Sequence, residues 1–116
     1  MGTHLPIAIV ASYLLLIREG KVLLAKRINT GYWDDYYGVP AGHGEEGESF
    51  SATLIREIEE EIGVRLDKEN IKPVHIIHRK GEDGSLRIEA FLQLMSGRGI
   101  SKIRSLRNAA SLIGFP

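Results

Sequence analysis

Apolar and polar positions along this chain fall into blocks whose period changes from strand-like to helical and back. Ile7–Ile17 and Val22–Lys26 are apolar, β-branched runs separated by Arg18, Glu19, Gly20 and Lys21, which predicts two strands joined by a hairpin turn. Val39, Pro40 and Ala41 form a short extended piece, because the residue before a proline is pushed out of the helical region. Gly42, Gly44 and Gly47 punctuate a tight loop. From Ser49 the period lengthens. Ala52, Ile55, Ile58, Glu59 and Ile62 recur at helical spacing, with Ser49 or Ser51 as the cap, the apolar members facing the core and Gly63 as the terminal glycine. Pro73–His78 and Leu86–Met95 then predict two more strands, joined by the turn-forming stretch Arg79 to Ser85. Strands surrounding a helix that follows a glycine loop suggest an α+β or three-layer α/β sandwich, and no internal repeat is visible.

Composition narrows the class without changing the architecture. A chain of 116 residues, 43% hydrophobic and 26% charged, has the size and makeup of one globular domain with a single core. Fifteen basic and fifteen acidic side chains cancel, so no overall field recruits polymeric nucleic acid or a membrane surface. The absence of cysteine excludes disulfides and thiolate metal sites and fits a reducing, cytoplasmic setting. No apolar stretch reaches the about 20 residues that a membrane-spanning helix needs, and the N-terminus has no basic region of the kind a signal peptide carries.

The candidate chemistry lies in the helix. Glu57, Glu60 and Glu61 stand at i, i+3 and i+4, which puts them on adjoining parts of one helical face, and Glu59 lengthens the acidic run. Like charges so packed repel one another and weaken a helix. A hard divalent cation, Mg²⁺ or Mn²⁺, turns that repulsion into attraction through oxygen ligands. Alone, such a run reads more simply as a solvated face, or as a surface for protein contact. Its surroundings decide otherwise. Gly42, Glu48, Arg56, Glu57, Ile58, Glu60, Glu61, Gly63 and Val64 satisfy every fixed position of the pattern G-x5-E-x7-R-E-U-x-E-E-x-G-U, where U is aliphatic.

That pattern is the Nudix box, and the chain resembles the Nudix hydrolases, close to the MutT-like branch, over Ile7 to Met95. The resemblance implies a Nudix fold, a mixed sheet between helices. It also implies a metal-dependent hydrolase that cleaves the pyrophosphate linkage of a nucleoside triphosphate or another nucleoside diphosphate linked to a further group. Glu57, Glu60 and Glu61 are the implied catalytic and metal-binding carboxylates. The backbone carbonyl of Ala41, where many relatives have glycine, is a further implied ligand. The box leaves the general base open, since geometry and pKa together decide that role. Arg56 and Glu48 read best as a pair tying the glycine loop to the helix, with phosphate binding by Arg56 as the rival; Gly42 and Gly63 are structural. Arg27, Trp33, Asp35, Tyr37 and His43 are candidates for contact with the nucleotide, through aromatic stacking or charge, and for the loop residues simple packing is an equal alternative. His75 and His78 lie on a predicted strand without convincing ligand spacing.

The tail departs from the resemblance. Residues 1–116 are expected to form one domain, with 7–95 as its family-like core and 96–116 as an atypical, basic, serine-rich end. Relatives of this kind continue with W-x-G-x-x-x-N-x-E-P-E-K and a later W-F. Read one base out of register, with permitted codon choices, Met95–Pro116 becomes DEWEGDIKNQEPEKCSELDWFP, which restores that pattern. A frameshift near Leu94 is therefore hypothesised, and coding DNA whose codons forbid the shifted reading would remove it. The C-terminal helix of the family is expected to be truncated or replaced, with Ser101–Ile113 as a short substitute helix carrying Ile103, Leu106, Ala110 and Ile113. Arg104 and Ser105 stand where MutT-like members place a late glutamate. A second reading follows, a catalytically impaired Nudix-fold protein that binds metal or nucleotide without efficient turnover. An open sheet edge also allows a homodimer.

Overall fold

The computed structural model describes residues 5–26, 36–95 and 111–114. Its strands are β1 Ala8–Leu15, β2 Ile17–Arg18, β3 Lys21–Lys26, β4 Tyr37–Gly38, β5 Ala41–His43, β6 Ile71–Lys80, β7 Leu86–Leu94 and β8 Ser111–Gly114. The helix α1, Phe50–Ile62, falls between β5 and β6, and a single 3-10 turn at Lys68–Asn70 precedes β6. One sheet has the order β5-β1-β7-β6, with β1 parallel to β7 and the other neighbours antiparallel. The second is built on β3, which pairs with β2, β4 and β8. The architecture is α+β, one of the two classes that the hydrophobic pattern suggests, with the mixed sheet that the resemblance implies.

The predicted single strand from Ile7 to Ile17 is divided. Leu16 interrupts it, β1 enters the first sheet, and Ile17–Arg18 turns into the second. An apolar run carries no mark of where a chain changes sheets. Ile17 pairs with Val22 and Arg18 with Lys21, so Glu19 and Gly20 alone form the hairpin loop, and both have positive φ (51° and 74°). Two such residues match the twist of the flanking strands.

Helix α1 begins and ends on its expected signals. The Ser49 side chain accepts a hydrogen bond from the Ala52 N–H at 3.1 Å. Gly63 adopts the left-handed conformation, φ 75°, and its N–H donates to the Glu59 carbonyl at 3.0 Å. Its buried face differs from the expected one, since Ala52 is exposed whereas Thr53, Leu54 and Ile58 are buried. Thr53 joins the buried set because its hydroxyl donates to Glu48 at 3.1 Å, so a polar residue does what the apolar period assigned elsewhere. Leu54 and Ile58 pack with Leu14, Leu16 and Leu23 and with Ala90, Leu92 and Leu94 of β7 in one core.

Among the described residues β6 is an edge strand, paired only with β7, and Val74 and Ile76 are exposed on it. Pro73 is tolerated there, beside a register shift, because an edge strand has N–H groups that need no ladder partner. The expected substitute helix over Ser101–Ile113 is corrected at its end. Ser111–Gly114 is extended and pairs antiparallel with Lys21–Leu24 of β3, so Ile113 belongs to a strand. A strand edge offers unpaired N–H and C=O groups to such a segment, a tertiary gain that helical spacing does not reveal. The remainder of that stretch, including the late-glutamate positions Arg104 and Ser105, lies outside the described residues.

Candidate active site

The glycine loop is tied to β1 by backbone bonds from Gly44 N–H to the Val10 carbonyl and from Leu14 N–H to the Pro40 carbonyl, both 2.8 Å. Ala41, Gly42 and His43 pair with Tyr13, Ser12 and Ala11. Side chains alternate across a sheet, so Gly42 and Ser12 share one face while Ala41, His43, Ala11 and Tyr13 share the other. The first is the helix face, since the Ser12 hydroxyl donates to the carbonyl of Phe50 at 2.8 Å. Gly42 lies directly beneath Glu57, and a Cβ placed at this position would overlap the Glu57 side chain. Glycine is required here for close approach. It lets the carboxylate of the helix lie against the backbone of β5.

Arg56 organises the carboxylates. Its Nε donates to Glu48 Oε2 at 2.7 Å and its Nη2 to Glu48 Oε1 at 3.0 Å, a two-pronged pair, while Nη2 also reaches the His43 carbonyl at 3.1 Å. Nη1 donates to Glu57 Oε1 at 2.7 Å and to Glu60 Oε2 at 3.5 Å, with Glu45 Oε1 at 3.7 Å. Each guanidinium nitrogen therefore has a protein acceptor. Glu48 further accepts from the Glu45 N–H at 2.8 Å, closing the loop from inside. The hydrogen bonds from Arg56, then that from Glu45, hold the Glu48 carboxyl down at about 2. The same bonds, to Glu48 first and Glu57 second, push the Arg56 guanidinium further up from an already high value.

Glu57 and Glu61 are half-buried and Glu60 is exposed on the same helix. Among the described residues no three carboxylate or imidazole side chains form a finished cation cage. The donor set nonetheless fits a hard divalent ion. It is all oxygen, it flanks the carbonyl-bearing edge strand at Ala41, and two of its members, Glu57 and Glu60, already converge on one cationic nitrogen. A shallow depression along the outer face of α1 is lined by Ala52, Ile55, Arg56, Glu59 and Glu60. His43 is exposed at the end of β5 and contributes its carbonyl to Arg56; Tyr37 is exposed on β4. Arg27, Trp33 and Asp35 lie outside the described residues.

One cluster escaped the motif reading. On the face of the first sheet opposite α1, Glu89 is buried and accepts hydrogen bonds from the Tyr13 hydroxyl at 2.5 Å and from Arg79 Nε at 2.6 Å. Tyr13 stacks on Phe91, with ring centroids 4.7 Å apart and planes 15° from parallel, and His75 tilts against Phe91 at 6.0 Å. The Arg79 guanidinium holds the Glu89 carboxyl below its usual range. Burial, with the adjoining Glu89, pushes the Tyr13 hydroxyl up to about 12, so it remains a proton donor at neutral pH. The alternation Arg87-Ile88-Glu89-Ala90-Phe91 signals a polar strand face, but partners brought from β1 and β6 are invisible in sequence.

A glycine loop against a strand edge, an arginine clasping loop and helix, and carboxylates of one helical turn are the folded form of the sequence box. The NUDIX domain family model matches residues 7–93, and the chain belongs to that family, one of pyrophosphohydrolases whose members generally use divalent metal ions. Among solved structures, a MutT/nudix family protein from Enterococcus faecalis is 18% identical with a TM-score of 0.72, covering 97% of this chain and 46% of that one. A MutT NUDIX hydrolase from Burkholderia pseudomallei is 20% identical with a TM-score of 0.71, covering 95% of this chain and 88% of that one. A bifunctional NMN adenylyltransferase/ADP ribose pyrophosphatase from Francisella tularensis, complexed with AMP and a Mn ion, is 16% identical with a TM-score of 0.69, covering 98% of this chain and 36% of that one. The chain thus spans less than half of two of these relatives and most of the third. No curated protein gave a match to the sequence. No helix of the described residues is long and apolar enough to cross a membrane.

Proposed function

We propose that this protein is a Mg²⁺- or Mn²⁺-dependent pyrophosphohydrolase that cleaves a nucleoside triphosphate, or another nucleoside diphosphate linked to a further group, in the cytoplasm. The observation that carries the reading is the Glu57 carboxylate laid over Gly42 at the edge of β5 while sharing the Arg56 guanidinium with Glu60. Glu57, Glu60 and Glu61, with the carbonyl of Ala41, are the groups that would hold the cation. Bound there, a divalent ion supplies neutralisation of the phosphate oxygens, which is most of what phosphoryl transfer asks of its surroundings.

The chain's own residues supply position. Arg56 balances the negative charge of Glu48 and Glu57 and fixes the loop whose backbone faces the phosphates. Release of orthophosphate or pyrophosphate from a nucleotide panel with Mg²⁺ is the direct test. Glu57→Gln is expected to lower kcat/KM by about a hundredfold or more, the scale of losing a group that takes part in proton transfer or charge stabilisation. Activity unaffected by Glu57→Gln would remove the assignment.

The second reading, binding without efficient turnover, is favoured by Arg104 and Ser105 standing where MutT-like members place a late glutamate. Silence toward the whole panel with nucleotide binding retained would select it. A chain with the tail restored by the shifted reading would then regain turnover.

A further inference from the structure

The helix that carries the candidate carboxylates is held to the sheet from below by a hydroxyl. Ser12 lies in β1, between β5 and β7, and its partners across those strands are Gly42 and Ala90. Residues so paired project on one face, here the face that α1 covers. Glycine, serine and alanine give this row little bulk, and Ser12 and Ala90 are wholly buried. The Ser12 hydroxyl is the one polar group that the row turns to the helix, and it donates to the Phe50 carbonyl at 2.8 Å.

That bond differs in kind from the apolar packing around it. Burial of Leu54 and Ile58 in the core favours contact but no single rotation of α1, because the hydrophobic effect has no direction. A hydrogen bond fixes both a distance and an angle. The buried hydroxyl of Thr53 is turned to Glu48 in the glycine loop, and Arg56 reaches the same loop and the end of β5. Ser12 instead ties α1 to β1, a strand inside the sheet.

Phe50 and Glu57 are seven residues apart, two helical turns, so they look out from the same side of α1 about 10 Å apart along its axis. Turning α1 by about 10° carries a side chain about 1 Å at the helix surface. A misplacement of that size can lower a catalytic rate by about a hundredfold. Glu57 has little latitude over Gly42, because its side chain occupies the space that a Cβ would take there.

We propose that Ser12 is a positioning residue for the reaction. Through Phe50 it sets the rotation and height of α1, and so holds the Glu57 carboxylate over Gly42 where the cation is to be received. It touches neither cation nor substrate. The proposal rests on the hydrolase reading and adds to it the group in the sheet that registers the helix.

The test is Ser12→Ala, which removes one oxygen atom and adds no bulk. Two readouts are taken on the full chain: affinity for Mn²⁺ alone, from free ion counted by electron paramagnetic resonance, and kcat and KM on a nucleotide that the wild type hydrolyses. The variant is expected to bind Mn²⁺ about tenfold more weakly, the lower range for groups that orient metal ligands. It should also lose about tenfold in kcat with KM within about twofold. Ile71→Val, which trims the same core at the edge strand, is the control: its thermal midpoint should fall while kcat and Mn²⁺ affinity stay at wild-type values. Thermal melts set a temperature at which all three proteins are folded. Wild-type Mn²⁺ affinity and kcat in Ser12→Ala overturn the proposal, whatever its midpoint. Equal losses in Ile71→Val, or a Ser12→Ala chain that does not fold, also overturn it, because the bond then serves the fold at large. If the wild type binds Mn²⁺ but hydrolyses no nucleotide, the turnover reading falls and the two Mn²⁺ affinities alone decide the role of Ser12. A wild type that binds no Mn²⁺ overturns both together.

Discussion

At the scale of single residues, the site depends on what is missing from Gly42 as much as on what Glu57 carries. Glycine here leaves room for a carboxylate against the strand, and no side chain of any kind can share that space. Gly42→Ala is therefore expected to displace Glu57 and to lower kcat/KM by about tenfold or more, the scale on which small misplacements act in catalysis. Because the glycine sits near a strand end, its thermal midpoint should change far less than its activity. Activity assays beside thermal melts check this, and a variant as active as the wild type would contradict the packing described here. Arg56 teaches a related lesson. Its place in the motif was legible from spacing, but the assignment of each nitrogen needed the folded loop to bring Glu48, the His43 carbonyl and the helix together.

At the scale of elements, α1 is specified locally and buried globally. Ser49 caps its start and Gly63 closes its end, both readable in sequence because capping chemistry uses only neighbours along the chain. Ser49→Ala should cost about 1 kcal/mol, equivalent to lowering the midpoint by about 4–8 °C in a domain of this size. Thermal unfolding measures it, and no change would mean that solvent caps the helix equally well. The exposed side of α1 was less legible. Ala52 has an apolar side chain yet faces out, whereas Thr53 faces in because Glu48 receives its hydroxyl. The strand at Ser111–Gly114 departs from the helical spacing for a similar reason, since the edge of β3 offers it backbone partners that no local period records.

At the scale of the whole molecule, two networks on opposite faces of one sheet set how stability responds to pH. Glu48 and Glu89 have depressed carboxyl groups, because Arg56 and Arg79 favour their charged forms. The unfolded chain binds protons at these groups before the native state does. Stability from Glu48 is present above about 4.5 and falls as pH drops toward about 2, and that from Glu89 is lost in the same direction. Tyr13 acts at the other end. Raised from 10.0 to about 12, it keeps its proton in the native state after the unfolded chain has lost it, so stability declines as pH rises between those values. Denaturant midpoints across pH should show both limbs, and Tyr13→Phe should flatten the alkaline one. An alkaline limb identical in that variant would mean that the tyrosine does not supply it.

The sequence by itself determined the family box, the helix and its caps, and the identity of the candidate carboxylates, because each is written in residues close together along the chain. Only the tertiary structure decided that Glu57 lies over Gly42, that Tyr13 stacks on Phe91 and shares Glu89 with Arg79, and that Ser111–Gly114 forms a strand on β3. The physical reason is register. Pairing between distant strands chooses which side chains share a face, and no local period records that choice.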